Sequence, residues 1–287
     1  MATAFPFWKL HGTGNDFVLA EADVADDPAW PALARRVCDR HFGVGADGLI
    51  FVLPSDVAAR RMRIFNPDGS EAEMCGNGIR CFVKYVLDRS IVDAPDGVLT
   101  VETGAGILEA RATRNDTGRV ESVRVSLGPP RFRPQDIGAL VEAQAPVLDL
   151  PLTAAGEPLK LNLVSMGNPH AVAFLDTAPA DFDLERIGPT VEHDPLFAHR
   201  TNFEVARVLD RDHVEMRVWE RGAGITLACG TGAAAVVVAG RLHGLVGDSV
   251  EVRVPGGPLR LEWDGEGDVY LEGPAVKVFA SVWEDAE

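Results

Sequence analysis

One strand–turn–helix pattern occurs twice in this sequence. A short apolar segment that opens with Met-Arg, at Met62 and again at Met216, is followed after nine further residues by Cys-Gly-x-Gly, at Cys75 and again at Cys229. The arginines and the cysteines of the two copies are both 154 residues apart (217 − 63 and 229 − 75). Repeats of solenoid proteins are only about 20–50 residues long. The spacing therefore predicts a duplicated domain, and we expect its two cysteines to face each other across the cleft between the halves.

The pattern of apolar residues predicts the same architecture in both halves. A chain of 287 residues accommodates two domains of about 100–150 residues each. Short alternating segments separated by Gly-rich and Asn-Asp turns predict antiparallel sheet. Each half also contains one mostly apolar helical segment, at residues 79–88 and 233–245. The predicted fold is α/β of the α+β type, with two pseudo-symmetric domains, each a curved, mainly antiparallel sheet wrapped around a central apolar helix.

The segment Gly128-Pro129-Pro130 is the predicted domain boundary. We assign residues 1–128 to an N-terminal half and residues 129–273 to a C-terminal half. The Pro-rich, weakly patterned stretch over about residues 128–160 is expected to be a loosely ordered connection with an edge strand.

Charge and hydropathy restrict the partners of the protein. A formal net charge of −16 argues against nucleic acid and anionic membranes, which both require basic patches. The first nine residues lack the basic and apolar regions of a signal peptide. The longest apolar run, residues 233–239, is far shorter than the roughly 20 residues of a membrane span. We therefore expect a cytoplasmic protein whose four cysteines are thiols.

A thiol at the start of a helix has distinctive chemistry. A helix N-terminus can lower the pKa of a cysteine toward about 3.5–7.5, and its free amides bind anions such as a carboxylate. Two such thiols on opposite sides of one carbon suit stereochemical inversion, in which one removes a proton and the other returns one to the opposite face. Neither motif contains the paired base and orienting group of a hydrolase. No lysine motif or nucleotide loop indicates a cofactor, so we expect none.

The alternative to this chemistry is that the cysteines have structural roles. A cysteine in an apolar stretch is usually a small core residue, and we interpret Cys38 and Cys81 in this way. The gap between Cys75 and Cys81 does not match the spacing of zinc ligands, and the second half has only Cys229, so we expect no metal site. Recurrence of the same motif at one offset favours a functional role for Cys75 and Cys229.

Five segments together resemble the diaminopimelate epimerase family: residues 11–17 (HGTGNDF), 74–80 (MCGNGIR), 166–170 (MGNPH), 220–224 (ERGAG) and 228–232 (ACGTG). The resemblance runs through almost the whole chain and is weakest over about residues 128–160. It implies a cofactor-free, two-cysteine epimerase that interconverts LL- and meso-diaminopimelate, on the pathway to lysine and peptidoglycan precursors. It also implies a homodimer, and a C-terminal strand, about residues 274–287, that returns to the first half.

Carried over to this sequence, the resemblance implies acid–base roles for Cys75 and Cys229, and roles in tuning them for His170 and Glu220. It also implies a set of substrate-binding residues: Asn15, Asn66, Gly76, Asn77, Asn168, Asn202, Glu220, Arg221, Gly230 and Thr231. Asparagine suits a zwitterionic amino acid because its amide both donates and accepts hydrogen bonds.

One position departs from the pattern of the family. Many members have a glutamine where this chain has Gly48, so that side-chain contact with the substrate is missing here or is made by a neighbour.

Two other functions are considered. Proline and hydroxyproline racemases resemble the first motif, but they typically have Cys-Gly-His where this chain has Cys75-Gly76-Asn77. A non-catalytic amino-acid-binding protein would keep the pocket without the chemistry, and the retention of both cysteines and of Glu220 speaks against it.

Overall fold

The computed structural model describes residues 4–24 and 26–284, and it has the predicted α+β class, with many strands and few helices. The chain divides into two compact units, Met1–Val125 with Glu272–Glu287, and Ser126–Leu271. Residues 285–287 of the predicted returning strand, like residues 1–3 at the other end, lie outside the described residues. No helix in the described part of the chain is both long and apolar enough to cross a membrane.

In the first unit, groups of two or three strands alternate with single helices. Its elements are β1 (Ala4–Gly12), β2 (Asn15–Glu21), α1 (Trp30–Cys38), β3 (Gly48–Leu53), β4 (Arg60–Phe65), β5 (Glu71–Ala72), α2 (Gly76–Asp88), β6 (Val98–Thr103), β7 (Gly106–Arg114) and β8 (Val120–Ser126).

The second unit repeats this succession after a short N-terminal extension. Its elements are α3 (Pro134–Ile137), β9 (Leu150–Ala154), β10 (Glu157–Ser165), β11 (Pro169–Phe174), α4 (Leu184–Glu192), β12 (Asn202–Val208), β13 (His213–Glu220), β14 (Gly224–Ile225), α5 (Gly230–Leu242), β15 (Ser249–Val254) and β16 (Gly257–Glu262). The next strand, β17 (Tyr270–Pro274), begins in this unit and ends in the residues assigned to the first. The chain then ends in β18 (Val276–Glu284), which pairs antiparallel with β1.

Strand pairing is the same in both units. In the first, β1–β2 and β3–β4 are antiparallel, while β2–β3 and β4–β6 are parallel. In the second, β10–β11 and β12–β13 are antiparallel, while β11–β12 and β13–β15 are parallel. Helices α2 and α5 follow the short strands β5 and β14, and they begin 154 residues apart (230 − 76). The offset seen in the sequence is therefore an offset between equivalent elements.

Both central helices are buried; α5 is apolar on almost every face, whereas α2 also buries the polar side chains of Asn77, Arg80 and Lys84. All residues of α2 from Gly76 to Leu87 are buried, and α5 is buried continuously from Gly232 to Gly240. The structure extends both helices toward the cysteines: α2 and α5 each begin three residues earlier than the apolar pattern predicts, because the glycines of the two motifs form their first turns. Around residues 128–160 the predicted edge strand is β9, and the short helix α3 was not predicted.

Candidate active site

Cys75 is the residue immediately before α2 and caps its N-terminus. Its extended backbone conformation (φ −143°) lets the Sγ atom accept a hydrogen bond from the Gly78 amide at 3.4 Å. On its other side, Cys75 Sγ lies 3.7 Å from Asn15 Oδ1, to which Asn77 Nδ2 also donates at 3.1 Å. The first unit thus brings together three of the predicted residues, Cys75, Asn77 and Asn15, with Gly76 between the first two in the same helical turn.

Asn15 is oriented by a charged network at the turn before β2. The turn has positive φ angles at Thr13 (50°) and Gly14 (83°), so that Asn15 opens the strand. Asn15 Nδ2 donates to Asp47 Oδ2 at 2.8 Å, and Arg40 donates to Asp47 Oδ1 at 2.7 Å. The amide orientation of Asn15 is therefore fixed, with its carbonyl oxygen toward Cys75. Asp47 was not among the predicted site residues.

Asn66 and Gly48 are the two other positions of the first unit that the sequence analysis singled out. Asn66 follows β4, and its Nδ2 donates to Ser70 Oγ at 2.9 Å in a tight turn. Gly48 opens β3, where a Cβ atom would lie 3.2 Å from the Phe17 ring and 3.2 Å from the Phe65 carbonyl oxygen. Because the neighbouring strands pack this closely on Gly48, a larger residue there would need its neighbours to move.

A buried arginine lies beneath the first turn of α2. Arg80 is fully buried, and its guanidinium donates to the Gly76 carbonyl at 3.2 Å, to Thr13 Oγ1 at 3.1 Å and to the Pro274 carbonyl at 3.3 Å. It forms no ion pair with a carboxylate of the described residues. Burial lowers the pKa of Arg80 to about 10, while the charges of Cys81 and Cys75 raise it. The helix start that carries Cys75 is therefore electropositive from within.

Cys229 caps α5 in the same way. Its Sγ atom accepts from the Gly232 amide at 3.3 Å and lies 3.5 Å from Thr231 Oγ1. Thr231 Oγ1 in turn accepts from Asn168 Nδ2 at 3.3 Å. The second unit therefore joins Cys229, Thr231 and Asn168 through hydrogen bonds, and Gly230 is the first residue of the helix.

For Cys229 the expectation of a lowered thiol pKa is wrong. Burial raises the pKa of Cys229 well above its usual value, and the negative charges of Glu220 and Glu204 raise it further. The hydrogen bonds from Thr231 and the Gly232 amide oppose this rise but do not overcome it. The free protein therefore holds Cys229 as a thiol.

Glu220 lies beside Cys229 at the end of β13. Its carboxylate accepts a hydrogen bond from Thr226 Oγ1. Burial raises the pKa of Glu220, and the charge of Glu204 adds to that effect. The negative charge of Glu220 acts in turn on Cys229, whose pKa it raises.

His170 is fully buried on β11 and bridges two polar groups. Its Nδ1 lies 2.7 Å from Glu204 Oε1, and its Nε2 lies 3.0 Å from Asn168 Oδ1. Glu204, on β12, was not predicted, because a single acidic residue inside an apolar strand gives no local motif. At the offset of 154, the equivalent residue of the first half is the apolar Ile50.

Asn202 and Arg221 meet at the loop after β13. Asn202 Nδ2 donates to the Pro169 carbonyl at 2.9 Å, and its Oδ1 accepts from the Arg221 amide at 2.8 Å. The buried carboxylate of Glu192 accepts from the Gly222 amide at 2.9 Å. The loop is therefore held in place while the side chain of Arg221 remains exposed and able to meet an anionic group.

The remaining cysteines differ from these two. Cys38 and Cys81 are free and buried, and burial raises the pKa of each to about 12. Both are core residues, as the sequence predicts. Within residues 4–24 and 26–284, no group of three or more His, Cys, Asp or Glu side chains is arranged to hold a metal ion.

The family model and the sequence relatives that match this chain name the same family. A family model described as diaminopimelate epimerase matches residues 7–133 and 162–278. A relative from Moorella thermoacetica with the same description is 51% identical, over 95% of this chain and 97% of its own length.

Two solved structures share the fold at low identity. A phenazine biosynthesis protein of the PhzF family from Bacillus anthracis superposes with a TM-score of 0.71 at 20% identity, over 97% of this chain and 98% of its own. A probable proline racemase from Agrobacterium radiobacter gives 0.70 at 19% identity, over 96% and 92%.

Proposed function

Because the chain belongs to the diaminopimelate epimerase family and is therefore an isomerase, we propose that it interconverts LL- and meso-diaminopimelate with Cys75 and Cys229 as its two acid–base groups and without a cofactor. The observation that carries the proposal is the matched position of the two thiols. Each caps the central helix of its unit, and each accepts a hydrogen bond from the amide three residues later. The predicted location of the site, in the cleft between the halves, is part of this proposal.

The chemistry is a proton exchange at the α-carbon. One cysteine, as thiolate, takes the α-hydrogen as a proton, and the electron pair of the broken C–H bond stays on the substrate, delocalised toward the carboxylate. The other cysteine, as thiol, gives its proton to the opposite face of that carbon and becomes the thiolate. Amides at a helix start stabilise the charge that develops on the carboxylate. The enzyme ends with its two protonation states exchanged, so it is ready for the reverse reaction until proton exchange with water restores the starting pair.

Recognition of the substrate follows from its two zwitterionic ends. The amides of Asn15, Asn77, Asn168 and Asn202 offer both donors and acceptors. Glu220 supplies an anion for an ammonium group, and the exposed guanidinium of Arg221 supplies a cation for a carboxylate. Asn66 and Thr231, with Gly76 and Gly230 at the helix starts, complete the proposed binding set. His170 and Glu220 are proposed to tune the thiols.

The biological setting belongs to the same proposal. Diaminopimelate is the substrate class of the family, and we place the reaction on the route to lysine and peptidoglycan precursors, in the cytoplasm. The homodimer remains a prediction, which light scattering of the purified protein would test.

Proton exchange in D₂O tests the activity directly. The reduced protein is incubated with LL-diaminopimelate and, separately, with L-proline. We expect deuterium at the α-position of diaminopimelate together with the appearance of the meso isomer. Exchange of proline alone would keep the thiol chemistry and overturn the substrate, in favour of a racemase of the kind that shares this fold. No exchange in either tube, with the thiols shown to be reduced, would support a non-catalytic binding protein.

A further inference from the structure

Glu204 is a charged residue in a position that favours an apolar one. It lies within β12 between Phe203 and Val205, which are both fully buried, and it is itself fully buried. A carboxylate taken out of water costs several kcal/mol unless hydrogen bonds and opposite charge compensate. The contacts of Glu204 should therefore explain why a carboxylate is buried at this position.

The first contact is with His170. Glu204 Oε1 lies 2.7 Å from His170 Nδ1, and both side chains are shielded completely from solvent. The other ring nitrogen, Nε2, faces Asn168 Oδ1 at 3.0 Å, while Asn168 uses its Nδ2 to donate to Thr231. Both ring nitrogens therefore face an oxygen atom, and the ring is held between Glu204 and Asn168.

The second contact is with the start of α5. A Cβ atom at Gly232 would lie 2.7 Å from Glu204 Oε1, so the carboxylate packs directly against the helical turn that follows Cys229. Glu204 Oε2 has no hydrogen-bond partner among the described residues. A negative charge at this end of a helix interacts favourably with the helix dipole. The same negative charge opposes the formation of a second one on Cys229.

A continuous set of hydrogen bonds connects the two contacts. It runs from Glu204 to His170, then to Asn168, Thr231 and the Cys229 sulfur, with separations of 2.7, 3.0, 3.3 and 3.5 Å. All five residues of this hydrogen-bonded series lie in the second unit.

We propose that Glu204 is a positioning residue for the reaction: its carboxylate orients the His170 ring, and its buried negative charge keeps Cys229 in the thiol form. The proposal rests on the proposed function, since it concerns one of the two cysteines proposed there as acid–base groups. The charged groups that face Cys229 are Glu220, from the end of β13, and Glu204, from β12, with His170 on β11 acting as the counter-charge. Glu204 belongs to none of the motifs that identify the family.

Peptide-resolved alkylation measures the thiol state of each cysteine separately. Wild type and Glu204→Gln are treated with iodoacetamide across a range of pH, and mass spectrometry quantifies the peptides that contain Cys75 and Cys229. Glutamine keeps the shape of the side chain beside Gly232 and removes its charge. We expect the Cys229 midpoint to move to lower pH, with about 3- to 10-fold faster alkylation at fixed pH below it, since one pKa unit is tenfold in thiolate.

Two controls distinguish this effect from general destabilisation. Glu251→Gln removes one carboxylate from an exposed pair with Arg253 on β15 and should leave both midpoints unchanged. The Cys75 peptide of Glu204→Gln is the internal reference and should not move. An unchanged Cys229 midpoint in folded Glu204→Gln, or an equal shift of both cysteines, would overturn the proposal.

A measurement on the wild-type protein covers the case in which Glu204→Gln does not fold. The ¹⁵N signals of the His170 ring, assigned by their loss in His170→Asn, should show a proton on Nδ1, the nitrogen that faces Glu204. A ring with no proton on Nδ1 would contradict the hydrogen bond to the Glu204 carboxylate. Both readouts are independent of turnover, so a lack of epimerase activity would overturn the proposed function and leave this test standing.

Discussion

The starts of α2 and α5 have the same backbone arrangement, but the charged side chains beside them have opposite signs. Beneath the first turn of α2, a Cβ atom at Gly78 would meet Ile50 Cδ1 at 3.1 Å. At the equivalent position of α5, a Cβ at Gly232 would meet Glu204 Oε1 at 2.7 Å. Ile50 and Glu204 are 154 residues apart (204 − 50), so one position in the duplicated scaffold holds a methyl group in one unit and a carboxylate in the other.

Two more equivalent pairs differ in the same direction. Asn66 in the first unit corresponds to Glu220 in the second, and Arg80 corresponds to Ala234. The first unit therefore has a buried cation beside its cysteine, and the second has two carboxylates. Duplication supplied the geometry of two capped thiols, and divergence at these few positions made their electrostatic surroundings different.

Under the proposed function, this difference would set the starting roles of the two cysteines. Because the pKa of Cys229 is raised, we propose Cys229 as the first proton donor. Cys75, in the unit that contains the buried guanidinium of Arg80, would then be the first base.

Removing either thiol should have the largest effect on activity. We expect Cys75→Ala and Cys229→Ala each to reduce epimerisation by about 10²–10⁴-fold or more, the range attributed to a single general acid or base. The assay is conversion of LL- to meso-diaminopimelate, with circular dichroism to confirm folding. Cys81→Ala, which removes a buried core thiol of the same helix, is the control. Appreciable turnover by either active-site variant would contradict the need for both thiols.

A matched pair of glycine substitutions tests the packing beneath the helix starts. Gly232→Ala should destabilise the protein by about 1–3 kcal/mol, because its Cβ would collide with a carboxylate that is pinned by His170. Gly78→Ala meets the movable end of Ile50 and gains helix propensity, so we expect a change close to zero. Urea unfolding of both variants measures the difference. Equal destabilisation would show that the two first turns are packed alike.

Arg80 is the equivalent test for the first unit. Arg80→Met removes the cation and should slow alkylation of Cys75 about 3- to 10-fold at neutral pH, since a nearby positive charge favours a thiolate. Arg80→Lys keeps the charge and should recover most of the rate. Alkylation of Cys229 in the same samples should not change. If Arg80→Lys slows Cys75 as much as Arg80→Met, the hydrogen bonds of the guanidinium rather than its charge would be responsible.

Some parts of this arrangement could be predicted from the sequence because they depend on neighbouring residues. A cysteine followed by Gly-x-Gly, after a turn and before an apolar stretch, specifies a capped helix start, and that pattern located both Cys75 and Cys229. The turn residues around Asn15 and Asn66 are likewise local signals. The α+β class followed from alternating strands and two apolar helices.

The electrostatics could not be predicted in this way. The pKa of Cys229 depends on burial and on Glu204, which reaches the helix start only through the register of β12 beside β11. The buried Arg80 reads as an ordinary charged residue of a helix until its three acceptors, on separate segments, are known. Such contacts join residues distant in sequence, and no local pattern encodes them.

The smallest predicted effect concerns how the first unit neutralises its acidic residues. Asp16 forms ion pairs with Lys9 at 2.6 Å and Arg40 at 2.7 Å, whereas Glu204 has a single histidine as its counter-charge. Burial tends to raise the pKa of Asp16, but hydrogen bonds from Arg40 and Lys9 prevail and lower it from 3.8 to about 2.

Because the pKa of Asp16 is lower in the native state, its contribution to stability is complete above about pH 5 and is lost as the pH falls toward 2. Asp16→Asn should therefore reduce the free energy of unfolding by about 1 kcal/mol at pH 7, a modest value because solvent screens the partly exposed group. Urea titrations of both proteins between pH 7 and pH 3 measure the difference in their free energies of unfolding, which should stay constant down to about pH 5 and then decrease. A difference that increases in acid would mean that the Asp16 carboxylate is less well neutralised than its contacts imply. The first unit would then not differ from the second in how it neutralises its acidic residues.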